Sequence, residues 1–165
     1  MHPVDDLRKL REVLGSFATG VTVISCLDAQ GEPVGFTANS FSSVSLDPPL
    51  VLFSLSKTAQ SLSAFLHTSS FAVNVLREDQ RALSERFADS SADKWSSVSW
   101  ETWETGCPIL RDALASFECA FRYTVDGGDH VIFVGEVERM DRREGARPLV
   151  YFASRYRRLD SDAEG

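Results

Sequence analysis

Residues 35–61 read GFTANSFSSVSLDPPLVLFSLSKTAQS, and the predicted fold is organised around them. Small hydroxyl and amide side chains stand on both sides of an apolar run at residues 50–55. Pro48 and Pro49 exclude a helix at the start of this run, so it predicts a β-strand that is buried on most sides. Small polar groups beside apolar walls are typical of a ligand pocket. The stretch therefore predicts a pocket built around one strand.

Extended segments surround this stretch. Residues 21–25 and 33–37, joined by a turn at 28–31, predict a hairpin, and residues 71–76 predict another strand. Residues 116–125 alternate in polarity and predict a half-buried strand, which the glycine-rich turn 127–130 joins to a strand at 131–139. Residues 148–152 predict the last strand. The alternation assigns these residues to the inward face of the strand at 116–125: Phe117, Cys119, Phe121, Tyr123 and Val125.

Short helices fill the gaps between the strands. Apolar spacing predicts helices at residues 4–15, after Lys57 with Ser56 or Thr58 as the N-cap, and at 78–87. Residues 88–108 predict a long ordered loop. Strands dominate without the β-helix-β alternation of a parallel sheet, so the pattern predicts an antiparallel barrel with helical additions.

Composition narrows the class of protein. A length of 165 residues with 43% hydrophobic residues predicts one domain at 1–159, and we expect residues 160–165 to form a disordered tail. No apolar run is long enough for a membrane span, and the first ten residues lack a signal-peptide layout, so we expect a cytoplasmic protein without a membrane partner. The net charge of −7 argues against nucleic-acid binding. Residues 139–158 nevertheless carry +5, which fits either a solvated surface or a patch for a phosphorylated cofactor or an acidic partner.

The residues of common catalytic sites are sparse. The motifs of dinucleotide folds, P-loops, hydrolase elbows and zinc proteases are absent from the sequence, and no metal site is expected. The three cysteines form no CxxC pair, which favours buried reduced thiols. His130 lies in the glycine-rich turn, where a solvated histidine and a site histidine are equally compatible with the sequence.

The polar residues of the opening stretch fall into two halves. At residues 54–61 a strand ends, hydroxyls and Lys57 follow and a helix starts, which fits either a phosphate site or simple N-capping. Residues 37–43 offer small polar groups to the edge of a flat heterocycle. Together the two halves fit a flavin nucleotide better than either does alone.

The order of five segments resembles the short-chain flavin reductases, the small reductase components of two-component flavin-dependent monooxygenases. These segments are FATGVTVIS at 17–25, residues 34–61, FAVNVL at 71–76, the GGDH turn at 127–130 followed by VIFVGEVE, and PLVYF at 148–152. The resemblance implies a homodimer of Greek-key split β-barrels of the FMN-binding type. It also implies that NADH or NADPH reduces FMN or FAD, and that free reduced flavin is supplied to a partner monooxygenase.

The same resemblance implies roles for individual residues. Those that would line the isoalloxazine ring are Thr37, Ala38, Asn39 and Ser40, with Ser42 and Ser43 close by. Those that would hold the ribityl chain and phosphate are Ser54, Leu55, Ser56, Lys57 and Ser61. Phe87, Lys94 and Trp95 would close the pocket from the loop. His130, as the catalytic candidate, would meet the nicotinamide nucleotide together with Arg155 and Tyr156.

Two other functions fit the same barrel. One is a flavin-binding carrier without nicotinamide activity, because split barrels host several functions. The other is an FMN enzyme that oxidises pyridoxamine phosphate. The sequence leaves open the choice between FMN and FAD and between NADH and NADPH.

Overall fold

Antiparallel strands dominate the computed structural model, which describes residues 6–90 and 93–160. The largest sheet contains β2 (Thr22–Leu27), β3 (Pro33–Ala38), β4 (Ser42–Leu46), β5 (Pro49–Ser56), β6 (Ser70–Val75), β9 (Ala115–Gly127) and β10 (His130–Arg142). Two smaller sheets contain β1 (Thr19–Gly20), β11 (Val150–Phe152) and β12 (Arg155–Arg157), and β7 (Trp100–Thr102) with β8 (Pro108–Leu110). The helices are α1 (Leu7–Leu14), α2 (Leu62–His67) and α3 (Arg81–Ala88). The predicted mainly β fold class is confirmed.

The seven-stranded sheet curls into an open barrel. Its strand order is β3-β2-β6-β9-β10-β5-β4, so the chain crosses from one edge to the other between β3 and β4, as in a Greek key. Phe36 on the edge strand β3 nevertheless packs against Phe53 on β5, with ring centroids 5.8 Å apart. Strands so distant in the sheet order meet because the sheet closes on itself.

The Ser40 side chain bridges the gap between β3 and β5, which we call the seam. The Ser40 hydroxyl accepts a hydrogen bond from the Ser54 N–H at 3.0 Å and donates one to the Ser54 carbonyl at 3.1 Å. Ser40 is the second residue after β3, and Ser54 lies beyond the part of β5 that pairs with β4. The seam is therefore closed here by a side chain and not by a strand ladder.

Phenylalanine rings fill the barrel interior. Along β5, Val51, Phe53 and Leu55 are buried in the core, and the alternate residues point outward. The Phe53 ring stacks on Phe133 and meets Phe71 edge-on, both with centroids 5.0 Å apart. Because the side chains alternate, Ser54 and Ser56 are turned to the outer surface of the barrel.

The predicted one-sided strand at 116–125 is wrong in its burial pattern. Glu118, assigned to the solvent side, is 1% exposed, because the β7–β8 hairpin and its connecting turn cover that side of β9. The Glu118 carboxylate accepts hydrogen bonds from the Thr105 N–H and hydroxyl at 2.9 and 2.6 Å. Tyr123 and Val125, assigned to the core, are about half exposed, as is the whole distal part of β9.

Three other predictions need correction. The loop at 88–108 contains β7 and the start of β8, and a further strand, β12, follows β11. The helix after Lys57 begins only at Leu62, because residues 56–59 form a turn in which the Ser56 carbonyl accepts the Ala59 N–H at 3.0 Å. Neither Ser56 nor Thr58 caps this helix; their hydroxyls bond each other at 2.9 Å.

The first helix is confirmed and lies on the surface. The Asp6 carboxylate caps it by accepting the N–H groups of Arg8 and Lys9 at 3.0 and 3.1 Å. No residue of α1 is buried, and Leu14 is 63% exposed. The start of the predicted helix at residues 4–5 and the tail at 161–165 lie outside the described residues. Within the described parts of the chain, no helix is long and apolar enough to cross a membrane.

Candidate functional site

A groove on the outer surface of the barrel runs along the seam. It has a volume of about 310 Å³, and we call it the seam groove. Its lining combines both halves of the opening stretch with the turn histidine: Phe36, Thr37, Ala38, Asn39, Ser40, Ser54, Leu55, Ser56 and His130. The structure thus brings together eight of the residues singled out from the sequence.

Strand register explains why these residues meet. β5 and β10 pair in an antiparallel ladder in which His130 lies directly opposite Ser56. Ser54 and Ser56 are the outward residues at the end of β5. Residues 37–40 comprise the end of β3 and the two residues after it, across the seam. Three segments that are distant in sequence therefore border the groove from two sides.

Most hydroxyls at this border already have protein partners. Ser40 is bonded twice to the Ser54 backbone, and the Thr37 hydroxyl donates to the Ser84 carbonyl. The exposed Asn39 amide makes no hydrogen bond to any residue in 6–90 or 93–160. The groups available to a ligand at this edge are therefore the Asn39 amide and the backbone of the edge strand β3.

A second groove of about 210 Å³ lies on the other side of Thr37 and Asn39. We call it the tyrosine groove, because Tyr151 and Tyr156 line it together with Val21, Ser84 and Ala88. The Tyr156 hydroxyl is bonded to the Ser84 hydroxyl at 2.8 Å. Tyr156 and His130 therefore border different grooves, which share Thr37 and Asn39.

The predicted pocket-closing residues pack beneath β3. Phe87 is fully buried and meets the Trp95 ring edge-on, with centroids 4.8 Å apart. The Lys94 ammonium donates to the Phe87 and Gly35 carbonyls at 3.0 and 3.2 Å. Burial lowers the pKa of Lys94, although the charge of Asp89 opposes this shift. Neither groove is lined by Phe87, Lys94 or Trp95.

The remaining predicted residues lie around the grooves. Ser42 and Ser43 are exposed on β4, and Arg155 is exposed on β12. Ser61 stands at the N-cap position of α2 without a side-chain bond to the helix. The Lys57 ammonium forms an ion pair with Asp126 at the end of β9. These residues do not line the seam groove.

Asp129, which has no role predicted from the sequence, contacts the His130 ring. The imidazole Nδ1 is 2.7 Å from the Asp129 carboxylate. The pKa of Asp129 is lowered, first by the hydrogen bond to His130 and then by the charge of that ring, with a smaller effect from Lys57. Within residues 6–90 and 93–160 no three His, Cys, Asp or Glu side chains are grouped as metal ligands.

Three more residues of the site were missed. Phe36 lines the seam groove, Ser84 links Thr37 to Tyr156, and Asp126 holds Lys57. For Ser84 a signal existed, because it precedes Phe87 by three positions and so shares the buried face of the predicted helix. For Asp126 the signal was its place beside the glycine-rich turn.

Comparisons with known proteins identify the family. The sequence pattern of the flavin reductase like domain matches residues 14–160. The chain is 44% identical over 153 residues to a probable flavin reductase of Rhizobium meliloti, covering 93% of this chain and 49% of that protein. It is 40% identical over 157 residues to HsaB, the reductase subunit of a flavin-dependent monooxygenase of Rhodococcus jostii, covering 95% and 80%.

A solved structure agrees in fold. The NADH:FAD oxidoreductase SgcE6 of Streptomyces globisporus, in complex with NAD and FAD fragments, has a TM-score of 0.91 to this chain at 41% identity, covering 96% of both chains. The chain spans about half the length of the Rhizobium meliloti relative. Because the family pattern extends over most of the sequence and the barrel agrees with it, the chain belongs to the flavin reductase like domain family.

Proposed function

We propose that this protein is an NAD(P)H-dependent flavin reductase that binds FMN or FAD in the seam groove. The observation that carries the proposal is the convergence of residues 37–40, residues 54–56 and His130 on one groove. Its volume of about 310 Å³ lies at the lower end of the range for small-molecule sites. The Asn39 amide and the end of the edge strand β3 suit the polar edge of a flat ring.

The two ends of the groove serve different parts of the cofactor in this proposal. The backbone of residues 37–40 and the Asn39 amide meet the ring edge, where they favour negative charge. The Ser56 and Thr58 hydroxyls meet the phosphate, since the N–H groups of Lys57, Thr58 and Ala59 already have acceptors within the protein. Because α2 begins only at Leu62 and has six residues, these hydroxyls, and not a helix dipole, supply the donors.

The reaction requires few catalytic side chains. A bound flavin supplies a hydride acceptor for the reduced nicotinamide, so the protein mainly has to hold two rings face to face. His130 stands at the rim of the seam groove and Tyr156 in the adjoining tyrosine groove. Either side chain can meet the nicotinamide nucleotide while the flavin contacts Thr37 and Asn39.

We further propose that reduced flavin passes to a monooxygenase. HsaB is the reductase subunit of such an enzyme, and this chain resembles it over 95% of its length. Asn39, at the rim of the seam groove, is exposed, and an open groove favours exchange of flavin with solution. Copurification of stoichiometric flavin that does not exchange would contradict this part of the proposal.

The decisive experiment mixes purified protein with each of the four pairs of NADH or NADPH with FMN or FAD. Loss of absorbance at the nicotinamide band is expected for at least one pair. Asn39→Ala should weaken flavin binding, whereas Gln30→Ala, which removes a similar amide in the exposed β2–β3 turn, should not. A flat trace with every pair refutes the reductase; flavin binding without turnover favours a carrier, and oxidation of pyridoxamine phosphate favours the third function.

A homodimer is also part of the proposal. In the single chain the apolar side of α1 is uncovered, and Phe17 just after it is 79% exposed. The distal part of β9 likewise exposes Tyr123 and Val125. Apolar surfaces of this kind mark protein interfaces. Light scattering should give twice the mass of the chain, and a monomer at micromolar concentration would contradict this assignment.

A further inference from the structure

Lys57, the only cation among the residues assigned to ribityl chain and phosphate, is already paired with a carboxylate. It follows the last residue of β5, and its ammonium contacts the Asp126 carboxylate at the end of β9. Both side chains are accessible, with 44% of Lys57 and 79% of Asp126 exposed. The pair therefore lies beside the phosphate end of the seam groove and can open without unfolding.

The backbone holds this pair in place. The Lys57 N–H donates to the Asp129 carbonyl at 2.9 Å, which fixes the turn at 127–130 against the end of β5. The positive charge of Lys57 also makes a small contribution to the lowered pKa of Asp129. Because Lys57 is paired with Asp126, its attraction for a further anion is reduced.

We propose that Asp126 competes with the flavin phosphate for Lys57 and thereby weakens flavin binding. This inference rests on the proposed function. A phosphate that reaches residues 56–58 meets an ammonium whose charge is partly offset by Asp126. Removal of the Asp126 charge frees Lys57 for the phosphate. Asp126 thus acts through Lys57 as a positioning residue that keeps the flavin exchangeable.

The test compares FMN with riboflavin, which has the same ring and no phosphate. Asp126→Asn should lower the Kd for FMN about two- to fivefold, the range that exposed ion pairs contribute. The Kd for riboflavin should not change. Flavin fluorescence in the absence of nicotinamide measures both constants, so the result does not depend on turnover. The effect on FMN should decline as salt is added.

Two further variants isolate the role of Lys57. In a Lys57→Ala background, Asp126→Asn should leave the Kd for FMN unchanged, because the competition no longer exists. Asp112→Asn provides a matched control, since it removes the same charge from an exposed pair with Arg143, 3.3 Å away and outside the seam groove. This control should leave both affinities as in the wild type.

The possible outcomes separate the inference from the proposed function. The inference is overturned if Asp126→Asn binds FMN no more tightly than the wild type, if riboflavin responds equally, or if the effect persists without Lys57. In those cases binding of FMN by the wild type still supports the proposed function. A wild-type protein that binds neither flavin contradicts the proposed function, and the inference with it.

Discussion

Replacing Gly135 by alanine should destabilise the barrel, because a ring of the core occupies the space of the new side chain. A Cβ at this position would lie 2.4 Å from Cζ of Phe71 and 2.5 Å from Cε1. Carbon atoms rest about 3.5–4.0 Å apart, so the ring or β10 must move by about 1 Å. Phe71 is fully buried and packs against Phe53, so neighbouring groups resist this movement.

Overpacking of this kind costs about 1–3 kcal/mol of unfolding free energy. At about 2 kcal/mol, a chain of this size should melt about 4–8 °C lower. Urea unfolding followed by circular dichroism at fixed protein concentration measures the change. Gly20→Ala is the matched control, because a Cβ there meets nothing within 4 Å.

A second variant tests the cause. Phe71→Leu removes part of the opposing ring. The double variant with Gly135→Ala should therefore lose less unfolding free energy than the sum of the two single losses, by about 0.5–3 kcal/mol. An unfolding free energy for Gly135→Ala within 0.5 kcal/mol of that for Gly20→Ala, as for unstrained surface changes, would show that the core accommodates the new Cβ without strain. Strict additivity of the two changes would refute the assignment of the clash to Phe71.

Two further predictions concern the buried polar groups and the thiols. The Asn74 amide oxygen accepts the Leu110 N–H and the Ser116 hydroxyl at 2.9 and 3.1 Å, so Asn74→Leu should lower the unfolding free energy by about 2–5 kcal/mol. Asn74→Asp should lose more stability at pH 7 than at pH 5, since burial raises the pKa of a carboxyl group; equal losses would contradict this environment. Burial raises the pKa of Cys26 and Cys119 to about 12 and also raises that of Cys107, so a chromogenic disulfide reagent at pH 8 should titrate none of the three thiols until urea unfolds the chain. Reaction of a thiol in the native protein at the rate of a free thiol would show that it is accessible.

The sequence predicted those parts of the fold and the site that depend on strand periodicity. The apolar run at residues 50–55 predicts strand β5, but the expected burial on most sides is wrong, because only the alternate residues Val51, Phe53 and Leu55 are buried. The alternation predicted for β9 failed for another reason, because the β7–β8 hairpin covers its second face. Strands of three residues show too little periodicity to be recognised, so the sequence did not predict the β7–β8 hairpin over β9.

Contacts between residues far apart in the chain could not be predicted from the sequence. The bond between Ser84 and Tyr156 joins residues 72 positions apart, and the pair of Lys57 with Asp126 joins residues 69 apart. No local pattern encodes such contacts. Lys94 was assigned to the pocket by resemblance, and only the packing around Gly35 reveals that its ammonium is used by two backbone carbonyls.

The Ser40 hydrogen bonds make the seam a place where the barrel can open locally. Two hydrogen bonds from one hydroxyl hold β3 to β5 at this point, so local opening here breaks fewer bonds than separating two paired strands. A flavin in the seam groove would contact both strands and hold them together. At a hundredfold excess over its Kd it would add about 2.7 kcal/mol to global stability. Loss of the ligand would remove this added stability, so local opening at the seam should become more frequent.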